Sequence, residues 1–440
     1  MTATPLDSLS PHERSPAWRR RFTGREWVRR SLVVVPSLYI LGALVLAQLA
    51  ARVEGEQDVL ALGFAKETAL TLLSAIAGGM IAFTGLVISV SLLVVQFGAG
   101  QYTPRLVGLF RRDRVVTHAL GIFIAPAICA IVSMGFIGEY DAEVVPSLLI
   151  SLNVVLLVVA VLAFFLLVSR LLDLLRPRVL VAHLVELGTQ AAREVYPFEL
   201  GRAPHLPLPF DDAAEKRSVR HSGPPGVLAA LDRGALVRVG SAAGGVVELT
   251  RGVGAYVPTG AVLFVVHGAT GDVSDAALRR AAIMSEERTT PQDPAFAIRA
   301  IVDIALRALS PAVNDPTTGV NAIDGLESLL LFLAHRDVER GRITDEAGTV
   351  RLVYPAPSWP SLLDLALTEI RHYGVDSPQI ARKLRSTLLA LRRDSPELRW
   401  AEIDDQLGRL DASVRAAYAD ERDRAEAEVP DSLGLGAPGT

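Results

Sequence analysis

The densest run of polar side chains lies at residues 288–336, RTTPQDPAFAIRAIVDIALRALSPAVNDPTTGVNAIDGLESLLLFLAHR. Within it Arg299, Asp303 and Arg307 recur at steps of four, which on a helix sets alternating charges along one face. Asn314 and Asp315 follow in the next turn. Two chemistries suit this set: the guanidinium of Arg299 or Arg307 for an anion, or the oxygens of Asp303, Asn314 and Asp315 for a hard cation. The structural alternative is an ion-pair and capping network that joins two helices. If Asp303 is buried between two arginines, deleting it costs about 3–5 kcal/mol.

These residues need two capped helices to hold them. Asp293 followed by Pro294 has the form of an N-cap with proline in the first turn, and the helix then runs to about Leu309. Ser310 and Pro311 end it, and Asn314, Asp315 and Pro316 start another in the same manner. The surrounding Ile, Ala and Leu residues bury at least part of the ladder.

Elsewhere the string is poor in reactive chemistry. It contains no Ser-His-Asp or Cys-His set, phosphate-binding glycine loop, HExxH or CxxC pattern, so an enzyme is the least supported class and no cofactor or metal is expected. The single cysteine, Cys129, falls in an apolar run, which excludes a disulfide framework. Residues 1–178 hold 16 Lys and Arg against 12 Asp and Glu; the remainder is net −8. So acidic a second half excludes nucleic acid as a general partner.

Four uncharged apolar runs, Leu32 to Ala51, Ala69 to Phe97, Val115 to Ile137 and Val144 to Val168, are each long enough to cross a bilayer. The first is too long for a signal-sequence core and reads as an anchor. Arginines crowd the amino-terminal arm, the second loop (Arg105, Arg111, Arg112, Arg114) and the exit from the fourth run, whereas the other two loops are acidic. Lipid contact through four spans with both termini cytoplasmic, in the inner (plasma) membrane, follows. Asn153 in the fourth span requires a partner across the bundle.

In the second span Ser74, Gly78, Gly85, Ser89 and Gln96 recur at steps of four and seven, a stripe of small and polar residues on one helix face. One reading is tight packing within a single four-helix bundle. The other is a helix lining a polar pathway at an oligomer axis, with Gln96 at the cytosolic mouth. Under either, Gly85→Leu is expected to disrupt packing. No ionisable residue lies deep in a span, which argues against an ion-coupled transporter.

The phrases QDPAFAIRAIVDIALRALSPAVNDPTTG at 292–319 and VVQFGAGQYTPRLVGLFRRDR at 94–114 resemble signature stretches of a bacterial family of predicted membrane proteins, domain of unknown function 2254. The resemblance runs from the first span to about residue 415. Thr103 stands where that family leads one to expect Ser, and it keeps the hydroxyl. Membrane location and architecture are what the resemblance implies; it lends no mechanism.

The expected fold is mainly α: a four-helix transmembrane domain followed by a cytosolic domain that combines a small β module with an α-helical bundle. The expected parts are a basic cytosolic arm (1–30), the spans (31–178), a helix and Pro-rich linker (179–225), the β module (226–272), the helical domain (273–424) and a disordered tail (425–440). In the β module VLAALDRG reads as a short helix and ALVRVG, GVVELT and AVLFVVHG as strands; ITDEAGTVRLV suggests a hairpin further on. The functional expectation is a homo-oligomeric channel-like or passive permeation protein with a cytosolic regulatory domain. The alternative is a membrane-anchored sensor or assembly module whose cytosolic part binds a small ligand or protein partner.

Overall fold

The computed structural model describes residues 4–5, 33–56, 64–101, 114–139, 144–145, 148–202, 216–289, 292–338 and 341–436. Two compact units result: one holds the four apolar helices up to Arg176, and the other begins at Pro177. A short strand, β1 (Thr4–Pro5), belongs to the second unit.

The apolar unit consists of α1 (Val34–Glu56), α2 (Lys66–Gln101), α3 (Arg114–Glu139) and α4 (Leu148–Leu174). All four are long and apolar enough to span a membrane, so the chain is a multi-pass membrane protein with four candidate spans. α3 is central and packs against the other three. Its Phe123 is fully buried and meets the Phe83 ring of α2 edge-on at 5.4 Å; Phe83 meets Phe164 of α4 at 5.2 Å. Asn153 finds the partner it requires: its side-chain amide donates to Ser133 Oγ at 3.0 Å and to Leu149 O at 2.8 Å. Two short strands, β2 (Phe64–Ala65) and β3 (Val144–Val145), pair antiparallel, which brings the chain segments before α2 and before α4 to the same end of the unit.

In the second unit α5 (Pro177–Val195) leads into a β-rich portion: β4 (Lys216–Arg220), β5 (Gly226–Leu231), α6 (Arg233–Ala242), β6 (Val246–Leu249), β7 (Tyr256–Val257), β8 (Val262–His267), α7 (Asp275–Ala281) and β9 (Ala282–Ser285). Helices α8 (Pro294–Ala308) and α9 (Pro316–Ala334) follow, then the hairpin β10 (Arg342–Thr344) and β11 (Val350–Val353). Helices α10 (Trp359–Gly374), α11 (Pro378–Asp394), α12 (Trp400–Ala417) and α13 (Glu421–Ala427) complete it. One sheet has the order β1-β10-β11-β6-β8-β4 and the other β7-β5-β9.

Helix and strand are exchanged at 226–242 relative to the sequence reading. VLAAL is strand β5, buried along nearly its whole length in the middle of its sheet, and a short buried apolar run has no period to tell strand from helix. ALVRVG lies in α6, because the Asp232 side chain accepts from Ala235 N at 2.9 Å and starts a helix there. The sheets also reach beyond 226–272. β4 comes from the expected linker, and the hairpin β10–β11 joins β6 in parallel, Leu352 opposite Val247. Such long-range pairing leaves no local mark in a sequence.

The expected tail is described as far as Gly436 and is docked. Asp431, 2% exposed, accepts from the amides of Gly434 and Gly436 at 2.8 Å each, while Arg382 of α11 donates to Val429 O and Gly436 O. A buried carboxylate that ties two glycine amides replaces the disorder that composition alone suggested.

Candidate functional site

The stripe on α2 points away from the bundle. The buried face of α2 carries Ala69, Leu73, Ile76, Ala77, Met80, Thr84 and Val87, whereas Ser74, Gly78, Gly85, Ser89 and Gln96 are all exposed. At 100° per residue the two sets lie on opposite sides of the helix. A β-carbon placed on Gly78 or Gly85 would have no atom within 4 Å. Packing within one bundle therefore does not use these residues. Ser89 Oγ donates to Gly85 O of its own helix at 3.0 Å.

Other close approaches hold the bundle. A β-carbon on Gly121 of α3 would lie 2.7 Å from Tyr39 Cγ and 3.1 Å from Tyr39 Cβ of α1, so these helices meet where Gly121 has no side chain. Tyr39 Oη also reaches His118 Nδ1 at 3.1 Å. Of the basic patch, Arg105, Arg111 and Arg112 lie outside the described residues, and Arg114 is the first residue of α3.

The polar set of the second unit separates into two places. Arg299 is the hub of the first: it bonds Asp303 on its own helix at 2.6 Å and grips Glu369 of α10 in a fork at 2.6 and 3.0 Å. The hydrogen bonds that Arg299 donates to Glu369 hold its guanidinium above its ordinary pKa, and they hold the Glu369 carboxyl below the ordinary carboxylate value. Glu369, 70 residues away, carried no signal in the sequence, and it means that loss of Asp303 does not strip Arg299 of its counter-charge. Arg307 is exposed, in the last turn of α8.

The second place is the turn into α9, nine residues or about 13 Å of helix rise beyond Arg299. Asp315 caps α9, and both its oxygens are engaged by Thr318, through the amide at 3.1 Å and the hydroxyl at 2.6 Å. Asn314 is exposed, with its backbone in the left-handed region at φ 48°. The five residues thus do not converge on one point. Among the described residues no group of three or more His, Cys, Asp or Glu side chains is arranged to hold a metal ion.

A third polar grouping, which the sequence did not reveal, joins the sheets to the helices. Gln292 bonds both the amide and the carbonyl of Leu231 in β5, at 2.8 and 3.3 Å. Asp293 caps α8 and pairs with Arg288; burial pushes its carboxyl above the usual carboxylate range, although Arg288 pulls the other way. Gly254, at φ 87°, lets the β6–β7 loop pass directly against that pair. The Asp293 cap was legible as Asp-Pro, but the 61-residue reach of the neighbouring Gln292 to β5 was not.

A family profile described as a predicted membrane protein (DUF2254) matches residues 29–390. The uncharacterized protein Rv1290c of Mycobacterium tuberculosis (strain ATCC 25618 / H37Rv) is 28% identical over 372 residues, covering 80% of this chain and 69% of its own length. The uncharacterized protein Mb1321c of Mycobacterium bovis (strain ATCC BAA-935 / AF2122/97) is similar to the same extent. No solved structure matches the chain.

Proposed function

The chain belongs to the DUF2254 family of predicted membrane proteins, and we propose that it is a homo-oligomeric, channel-like or passive permeation protein of the inner membrane with a regulatory cytosolic body and no catalytic role. The observation that carries this reading is the outward stripe on α2. Small and polar residues that contribute nothing to their own bundle are suited to close contact with further copies, and around an oligomer axis they would offer a polar lining. Support for a cytosolic body comes from the arginine-rich flanks of the spans and from β1, whose pairing with β10 ties the amino-terminal segment to the unit after Pro177.

Light scattering after size exclusion, with planar-bilayer recordings, tests the reading. An oligomer that conducts, and whose cation preference rises in Gln96→Glu, is the expected result; a monomer ends it. One observation favours a second reading. Ser89 already satisfies its hydroxyl on its own helix, so the seam suits a dry contact between copies equally well. A silent oligomer would therefore identify a membrane-anchored sensor or assembly module.

A further inference from the structure

We propose that the cleft between the amino-terminal halves of α10 and α12 binds a primary ammonium group on a short alkyl stem, a site that stands or falls independently of conduction by the spans. The cleft encloses about 230 Å³. Helix spacing builds it. Glu402, Asp405, Gln406 and Arg409 recur at steps of three and four on α12, so they share one face, and that face meets Asp364 of α10. Pro360, Leu363 and Ala401 supply apolar walls.

The polar lining is a set of acceptors whose neighbouring donors are already spent. Arg409 bonds Asp364 Oδ1 at 3.1 Å through Nη1 and Asp405 Oδ2 at 2.8 Å through Nε. The Gln406 amide donates to Asp364 Oδ1 at 2.8 Å. Glu402 lines the cleft without such a partner: its Oε2 is buried and accepts no hydrogen bond. Gln406 is only 4% exposed, and among the described residues its Oε1 accepts none either. The place of Glu402 in the first turn of α12 offers its charge the attraction of a helix end but no donor. Other cations nearby are committed elsewhere. Arg371 donates to Ser413 Oγ at 2.5 Å, while Arg399 donates to the carbonyls of Ala334 and Arg336 and lies over the Trp359 ring.

A buried carboxylate oxygen without a donor is costly, and the group that satisfies it best is a donor with positive charge. An ammonium brings three N–H donors. One suits Glu402 Oε2, one suits Gln406 Oε1, and the third is left for water at the rim, where Ala401, Asp405 and Arg409 are exposed. The alkyl stem lies along Pro360 and Leu363, as lysine stems lie along apolar surface. A hard metal ion fits less well, because it takes about six to eight oxygens and those of Asp364 and Asp405 are shared with Arg409. A free alkylamine and a lysine side chain of a protein partner offer the same chemistry.

The test uses the full chain in a neutral maltoside detergent, with butylammonium chloride as the probe and saturation-transfer NMR as the readout. Saturation should pass to butylammonium and not to butanol, which has the same stem without the charge. Glu402→Gln keeps the shape and removes the charge, so it should weaken binding at least about tenfold. Asp404→Asn removes a charge from the same helix outside the cleft, on a residue paired with Arg392, and should leave binding unchanged. Ala401→Phe blocks the mouth from an exposed position and should abolish binding with the parent's unfolding temperature retained, which keeps the test decisive if Glu402→Gln folds poorly. An acetylated and amidated Ala-Lys-Ala peptide separates the two sources: competition stronger than that of butylammonium identifies a protein lysine, and failure to compete identifies a free amine. No transfer to butylammonium in the parent would overturn the proposal. So would equal binding by parent and Glu402→Gln, an equal loss in Asp404→Asn, or displacement of the probe by stoichiometric calcium.

Discussion

Gly188 and Gly325 are reciprocal across the α5–α9 seam. A β-carbon on Gly188 would lie 2.9 Å from Leu329 Cδ2, and one on Gly325 would run into Val181 and come within 3.2 Å of Val185 Cγ2. Each helix lacks a side chain where the other comes closest, and Ala297 of α8 presses on Gly188 from a third direction at 2.8 Å. α5 is thereby locked into the helical body directly after the fourth span.

The first prediction follows from that lock. Gly188→Val inserts a branched side chain against Ala297 and Leu329, where overpacking costs about 1–3 kcal/mol. Thermal unfolding of the full chain in detergent, followed by the fluorescence of Trp359 and Trp400, should move to lower temperature. An unchanged transition would mean that the seam is looser than this geometry allows.

The second concerns Arg299. Because Glu369 keeps its fork on the guanidinium, Asp303→Ala should cost only about 1 kcal/mol, as a partly exposed pair does. That is well short of the loss expected were Asp303 the sole carboxylate. Removing both carboxylates should cost more than the sum of the single changes, by about 0.5–3 kcal/mol. A double-mutant cycle on thermal stability checks this. The pH dependence has a definite sign. Since Arg299 holds the folded-state pKa of Glu369 below its unfolded value, its contribution is present above the unfolded value and is lost as pH falls through the folded one. Glu369→Gln should therefore lower stability at neutral pH, and the difference from the parent should shrink on acidification.

What the string revealed and what it hid divide along sequence distance. The four spans, the caps at Asp293 and Asp315 and the hairpin at 342–353 are written in local patterns, so they could be read directly. The exchange of helix and strand at 226–242 arose because VLAAL is buried on all sides and shows no period. Glu369 and the reach of Gln292 to Leu231 were invisible because folding brings together partners 70 and 61 residues apart. The stripe on α2 was legible as a stripe. Its direction was not, since periodicity identifies a face without saying what that face meets.

The third prediction separates the residues of the α8–α9 turn. Asp315→Ala removes the cap of α9 and should cost about 1 kcal/mol. Asn314→Val puts a β-branched residue at φ 48° and should cost about 1–2 kcal/mol, whereas Asn314→Gly should be neutral or stabilising. If Asn314→Gly destabilised as much as Asn314→Val, the side chain rather than the backbone would be what matters at this position.

The last prediction sets two glycines of the spans against each other. Gly121 faces the Tyr39 ring inside the bundle, so Gly121→Leu must push α1 away from α3 and should unfold or loosen the monomer itself. Gly85 faces outward with no atom within 4 Å of a β-carbon, so Gly85→Leu should leave the monomer as stable as the parent. From periodicity alone Gly85→Leu is expected to disrupt packing as well, because both glycines lie in apolar helices; the outward direction of Gly85 removes that expectation for the monomer. If copies associate through the stripe, the added leucine must then act between chains. Light scattering should show Gly85→Leu shifted to smaller assemblies with its unfolding temperature retained. A Gly85→Leu protein that keeps the parent's assembly would remove α2 from any contact between copies, and with it the axial lining on which permeation depends.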